Sequence, residues 1–229
     1  MSTNLVLLVV LVISNAAFLI CQAAVPGMNL QDVIQSRNRH PEIHALTLRN
    51  LYAVLIMAIP VMLSLYFDYF FSSYRIPTTR NKAAILFASG LMVLAIRIGA
   101  RSAYRFMNFW DQRMPDRLHA MPVYSYLLSR ILFIISYELY FRGFIFWYCL
   151  QFMNLASAIA INIVLYMIAH FKCSQQIILG CIPMGLFLCL ANYSANSVLP
   201  AILIHLALTI SYECTLAWKA THYPKNYAL

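Results

Sequence analysis

The sequence predicts an all-α membrane protein, a polytopic bundle of about seven transmembrane helices with a polar cluster in its core. Three observations carry that expectation. The 229 residues are 62% hydrophobic and only 10% charged, with a mean hydropathy of +0.73, which is more apolar surface than one small water-soluble core can hide. The apolar residues gather in runs close to the roughly 20 residues that a helix needs to cross the hydrocarbon. Ionisable residues stand inside three of those runs, where lipid makes them costly unless they face one another or a wet cavity.

The runs fall at roughly 4–24, 50–72, 83–100, 124–150, 155–171, 176–194 and 197–218. The first ends near "CQAAVPG" and resembles a signal peptide in length. Residues 1–3 bring no Lys or Arg for a positive n-region, so it reads as a retained helix. The run at 124–150 is longer than a simple span and is either tilted or broken into an interfacial piece plus a span, which would make eight helices. Between Arg101 and Met121, the residues Tyr104, Phe106, Phe109 and Trp110 mix with Arg and Asp, a pattern suited to a segment lying along the membrane interface. Arg97, Arg101 and Arg105 follow at i, i+4 spacing as snorkelling or headgroup-contacting side chains. With no internal repeat or long linker, residues 1–229 read as a single integral membrane domain.

The formal charge of +9 needs no nucleic-acid partner, because most Lys and Arg sit between apolar runs, where they meet the headgroups of the lipid bilayer. With the N-terminus outside, the cytoplasmic face would hold Arg37, Arg39, Arg49, Arg101, Arg105, Arg113, Arg117, Lys172, Lys219 and Lys225, and the outer face Arg75, Arg80 and Lys82. That asymmetry predicts a cytoplasmic C-terminus; the expected location is a bacterial plasma (inner) membrane. Six cysteines without CxxC spacing read as small buried hydrophobes.

The polar residues inside the runs carry the chemistry. Glu138 and Arg142 in "SYELYFRGF" lie one turn apart and can pair on one helix face. Asn162, Tyr166 and His170 form a stripe on the fifth run, and His205, Thr209 and Glu213 another on the seventh. Glu213 stands near the end of its span and reads as a solvated terminus. Burying the three polar faces together would place a carboxylate, a guanidinium and two imidazoles around a wet pocket, where a Glu or His can take a proton from water and a second His can stabilise an oxyanion. Two His and a Glu can also hold zinc. The absence of HExxH, and of a second acid at ligand spacing, argues against a metal, and no cofactor is expected.

"YELYFRGFIF", "LYMIAHF" and "LPAILIHLALT", in that order, resemble the CPBP (Abi) family of glutamic-type intramembrane proteases, which includes the CAAX prenyl endopeptidases. The resemblance covers about residues 122–212. The family pattern is Glu-Glu-x-x-x-Arg, then Phe-x-x-x-His, then His-x-x-x-Asn/Asp. Carried over by position, Glu138 falls on the second glutamate, Arg142 on the arginine, Tyr166 on the phenylalanine, His170 on the first histidine and His205 on the second. Two positions depart: Tyr137 stands for the first glutamate and Thr209 for the Asn/Asp.

The resemblance implies an intramembrane endopeptidase that hydrolyses a peptide bond of a membrane-associated protein or peptide. Glu138 and His170 would activate water, His205 and Thr209 would hold the oxyanion, and Arg142 would hold the carboxylate. The alternative is a catalytically silent relative that binds or regulates a partner in a membrane-protein complex. Tyr137 favours the alternative, since a phenol with a reference pKa of about 10 is no carboxylate base at neutral pH. A transporter or channel ranks last, because no paired discontinuous helices are visible.

Overall fold

The structure is a computed structural model that describes residues 3–25, 30–35, 39–66, 82–110 and 120–222. All regular elements among these residues are helical: α1 (Thr3–Ala24), α2 (Leu30–Gln35), α3 (Arg39–Tyr66), α4 (Lys82–Trp110), α5 (Ala120–Glu138), a π-helical turn (Leu139–Ile145) running into α6 (Phe146–Leu150), α7 (Leu155–Ala169), α8 (Gln175–Ala195) and α9 (Leu199–His222). Six stretches are long and apolar enough to cross a bilayer: Leu5–Ala24, Pro41–Tyr66, Lys82–Phe109, Met121–Leu150, Gln175–Ala195 and Leu199–His222. The chain is an integral membrane protein. The fifth apolar run forms α7, whose 15 residues extend about 22 Å, short of a hydrocarbon layer about 30 Å thick.

Element boundaries follow local chemistry. Asn154 caps α7 by accepting the Ser157 N–H at 2.9 Å. Asn196 ends α8 in the left-handed region at φ 48°, and the Ser197 N–H closes back onto the Asn192 carbonyl at 3.2 Å. Lys172 donates to the Ala23 and Val25 carbonyls at 2.8 and 2.9 Å, so a cation from the α7–α8 turn satisfies the last carbonyls of α1.

Several expectations need correction. The run at 124–150 is neither broken nor interfacial: α5, the π turn and α6 are continuous from Ala120 to Leu150. The aromatic and basic stretch after Arg101 continues α4 as far as Trp110, because the helix-forming residues there simply extend the span. Arg97, Arg101 and Arg105 are exposed on that helix. Arg49, expected at the headgroups, is buried and donates to Asn50 Oδ1 at 3.4 Å, whereas Cys214, expected to be buried, is exposed. Arg37, Arg75, Arg80, Arg113, Arg117 and Lys225 lie outside the described residues.

Packing is closest between α4 and α9, and Gly99 is the reason. A Cβ there would lie 2.1 Å from Ser211 Oγ and 2.5 Å from the Leu208 carbonyl oxygen. Small residues let membrane helices approach to backbone contact, which replaces the hydrophobic drive that lipid cannot supply. Gly90, on the same helix, has nothing within 4 Å of such a Cβ. Gly99→Ala should therefore lower the unfolding midpoint in detergent, by roughly 1–3 kcal/mol. Gly90→Ala should be neutral or slightly stabilising.

Candidate functional site

The site begins with a backbone irregularity. Across Leu139–Ile145 the helix widens to a π turn, and the Phe146 N–H returns to the Phe141 carbonyl. That carbonyl also accepts Asn162 Nδ2 at 2.8 Å, and the Arg142 carbonyl accepts Asn192 Nδ2 at 3.3 Å. Backbone loosened at membrane depth must find protein partners because lipid offers none, and two asparagines from α7 and α8 supply them. Cys189 Sγ donates to Asn162 Oδ1 at 3.4 Å and orients that amide.

The π turn starts directly after Glu138. The Glu138 carboxylate is fully buried, and its Oε1 accepts Arg142 Nη1 at 3.2 Å and His205 Nδ1 at 2.5 Å. The guanidinium in turn lies 4.4 Å over the Tyr166 ring. Gly185 makes room for this stack: a Cβ there would be 3.3 Å from Tyr166 Cδ1 and 3.8 Å from Arg142 Nη2.

Both imidazoles have their Nδ1 occupied. His205 gives Nδ1–H to the Glu138 carboxylate. His170 sits at the C-terminus of α7, and its Nδ1 lies 2.9 Å from the Tyr166 carbonyl. A carbonyl only accepts, so His170 donates from Nδ1, a bond that does not engage its Nε2. Tyr137 packs edge-on against both rings, at 6.3 Å from His170 and 6.0 Å from His205, and stacks on Phe141 at 4.3 Å. Its hydroxyl is buried with no hydrogen-bond partner.

A cavity of about 720 Å³ opens in front of these groups, lined by Tyr137, Tyr166, His170, His205 and Thr209 among others. Glu138 and Arg142 are not on its wall; they stand behind it. Residues of α4 and α8 complete the cavity lining, and the two helices meet through the Phe87 and Phe187 rings at 6.5 Å and the apolar cluster of Ala95, Leu188 and Ala191. Five sequence-predicted residues are thus gathered in one region, but Glu138 reaches His205 rather than His170.

Glu213 corrects the expectation of a solvated terminus. It is buried, lines the same cavity, accepts from Tyr126 Oη at 2.9 Å and lies 3.8 Å from Arg130 Nε. Its place within α9 put it near a span end in the sequence, but α5 brings a phenol and a guanidinium to meet it. Sequence reasoning missed Arg130, Tyr126, Asn192 and Gln22. Each is a polar residue within a hydrophobic run, the signal that had marked Glu138. Among the described residues no three His, Cys, Asp or Glu side chains converge as metal ligands.

Residues 119–211 match the family described as type II CAAX prenyl endopeptidase, Rce1-like. The matched region holds α5 to most of α9 and contains Tyr137, Glu138, Arg142, His170, His205 and Thr209; it is less than half of the chain. No curated protein and no solved structure matches the chain.

Breaking a buried ion pair from one side strands the other charge. Arg142→Met should therefore destabilise the protein by roughly 3–5 kcal/mol in a detergent unfolding titration. Glu138→Leu combined with Arg142→Met should recover much of that loss.

Proposed function

We propose that this protein is an intramembrane endopeptidase in which histidine, rather than a glutamate pair, activates water. The observation that carries this reading is the 2.9 Å bond from His170 Nδ1 to the Tyr166 carbonyl, on a residue that lines the cavity, which leaves Nε2 as the ring nitrogen available to act as base. The family match supports a membrane protease or a related protein.

The residues then take the following roles. His170 Nε2 removes a proton from water, and the hydroxide attacks the substrate carbonyl carbon. The oxyanion accepts hydrogen bonds from Tyr137 Oη, whose hydroxyl is unpartnered, and from Nε2–H of His205 in its doubly protonated form, supported by Glu138. Thr209, one turn beyond His205 on the cavity wall, offers a third hydroxyl. The C–N bond breaks as the His170 imidazolium returns its proton to the leaving amine. Arg142 acts through Glu138 and touches no reacting atom. Glu138 is a positioning residue, since its bonded oxygen already accepts from a guanidinium and an imidazole and it is not among the cavity-lining residues.

One observation favours a second reading. Tyr137 occupies the position of the family's first glutamate and is packed as a core aromatic against Phe141 and both imidazoles. This suits a silent relative whose cavity binds a membrane partner without cleaving it.

Reconstitution into liposomes with membrane-anchored peptide substrates separates the two. For the peptidase, His170→Ala should abolish cleavage, and Tyr137→Phe should lower kcat by about 100-fold with KM retained. Cleavage that survives both substitutions rejects the assignment. A stoichiometric membrane partner retained by both variants, without any turnover by the parent protein, selects the silent relative.

A further inference from the structure

Gln22 lies on α1, outside the region that carries the family match. It is completely buried, it lines the cavity, and neither its Nε2 nor its Oε1 has a hydrogen-bond partner. A buried amide with both donor and acceptor unmade is costly, and nothing in the packing of α1 requires one. Phe18, one turn earlier, uses the same helix face for an apolar contact, with its ring 6.0 Å from that of Tyr137. A leucine of similar size at position 22 would remove both unmade groups.

Donor and acceptor side by side define the complement. A primary amide offers one N–H and one C=O in a plane, which match the C=O and N–H of one residue in an extended chain, as in strand addition. The one Arg or Lys among the lining residues, Arg130, is already turned to Glu213 at 3.8 Å and stacked on Phe133 at 5.1 Å, so the recognition element that Gln22 offers is a neutral amide. We infer that Gln22 is a binding residue for the polypeptide backbone, holding one peptide unit of an extended chain in the cavity. The four residues from Phe18 to Gln22 rise about 6 Å along α1. With roughly 3.3 Å per residue of extended chain, Gln22 meets the backbone about two residues from the unit that lies against Tyr137 and the imidazoles. This inference rests on the reading that the cavity admits a polypeptide.

The test uses the full chain in lipid nanodiscs and an N-acetylated, C-amidated apolar pentapeptide carrying a photoreactive group, together with a series in which each backbone N–H in turn is replaced by an ester oxygen. Labelling is read without turnover. Gln22→Leu should keep or raise the unfolding midpoint while weakening labelling by about tenfold to a hundredfold. One member of the ester series should show part of that loss with the parent protein and no further loss with Gln22→Leu. Gly180→Phe should block labelling, since Gly180 borders the cavity with open space in front of it. A lowered midpoint for Gln22→Leu overturns the inference, because the amide would then serve the fold. Equal labelling of parent and variant, or no labelling of the parent, also overturns it. Labelling that depends on Gln22 without any cleavage would instead bring down the peptidase reading and leave this one standing.

Discussion

The bundle depends on a carboxylate that cannot stand alone in lipid. Glu138 can satisfy itself locally with Arg142, one turn away on the same helix. The bond to His205 is different, because it joins α5 to α9. The same two helices meet again where Arg130 faces Glu213. Glu138 and Arg130 are eight positions apart on α5, and His205 and Glu213 are eight apart on α9, a rise of about 12 Å on each. The spacings match only if the helices run antiparallel in one register, and sliding either by a turn would unpair both contacts. Buried polar pairs are weak evidence for stability but effective at fixing register, and here they set where the cavity forms.

Around that register the protein is rigid on one side and open on the other. The π turn, its two asparagine partners and the Arg142–Tyr166 stack over Gly185 form a wall in which the loosened carbonyls of Phe141 and Arg142 find partners within the protein. Helix α4 is drawn onto α9 by the backbone approach at Gly99, and its residues join those of α8 in lining the cavity. The polar groups come from α5, α7 and α9, and α4 and α8 add mostly apolar wall to the same cavity.

Much of this was legible in the sequence, for identifiable reasons. Hydrophobic runs of spanning length announce membrane helices because lipid leaves the backbone no other structure, and i, i+4 polar stripes announced the inward faces carrying Asn162, Tyr166 and His170, and His205, Thr209 and Glu213. What stayed hidden depends on partners distant in sequence. Glu213 looked solvated because Tyr126 and Arg130 approach it from another helix. The π turn has no local signature, and its requirement appears only in Asn162 and Asn192, 21 and 50 residues away from their carbonyls. Arg49 was read as interfacial because a positive-inside count weighs charges by position along the chain and not by the neighbours that bury them.

The departure at Tyr137 changes what the remaining carboxylate is suited to do. An acid that faced the cavity could take a proton directly, but Glu138 is turned away from it and shares one oxygen between a guanidinium and an imidazole. Its Oε1 holds the ring of His205 by Nδ1, while its Oε2 has no hydrogen-bond partner. The carboxylate behind His205 accepts the Nδ1–H of that ring. A backbone carbonyl stands behind His170 and accepts its Nδ1–H in the same way. Two imidazoles on one wall thus have different acceptors at their backs, a carboxylate and a peptide carbonyl, which suits a division of labour between two residues of one type. On the proposed reading, the chemistry that a glutamate pair would supply is divided between those two rings, and the phenol between the two motif positions becomes a donor instead of a base.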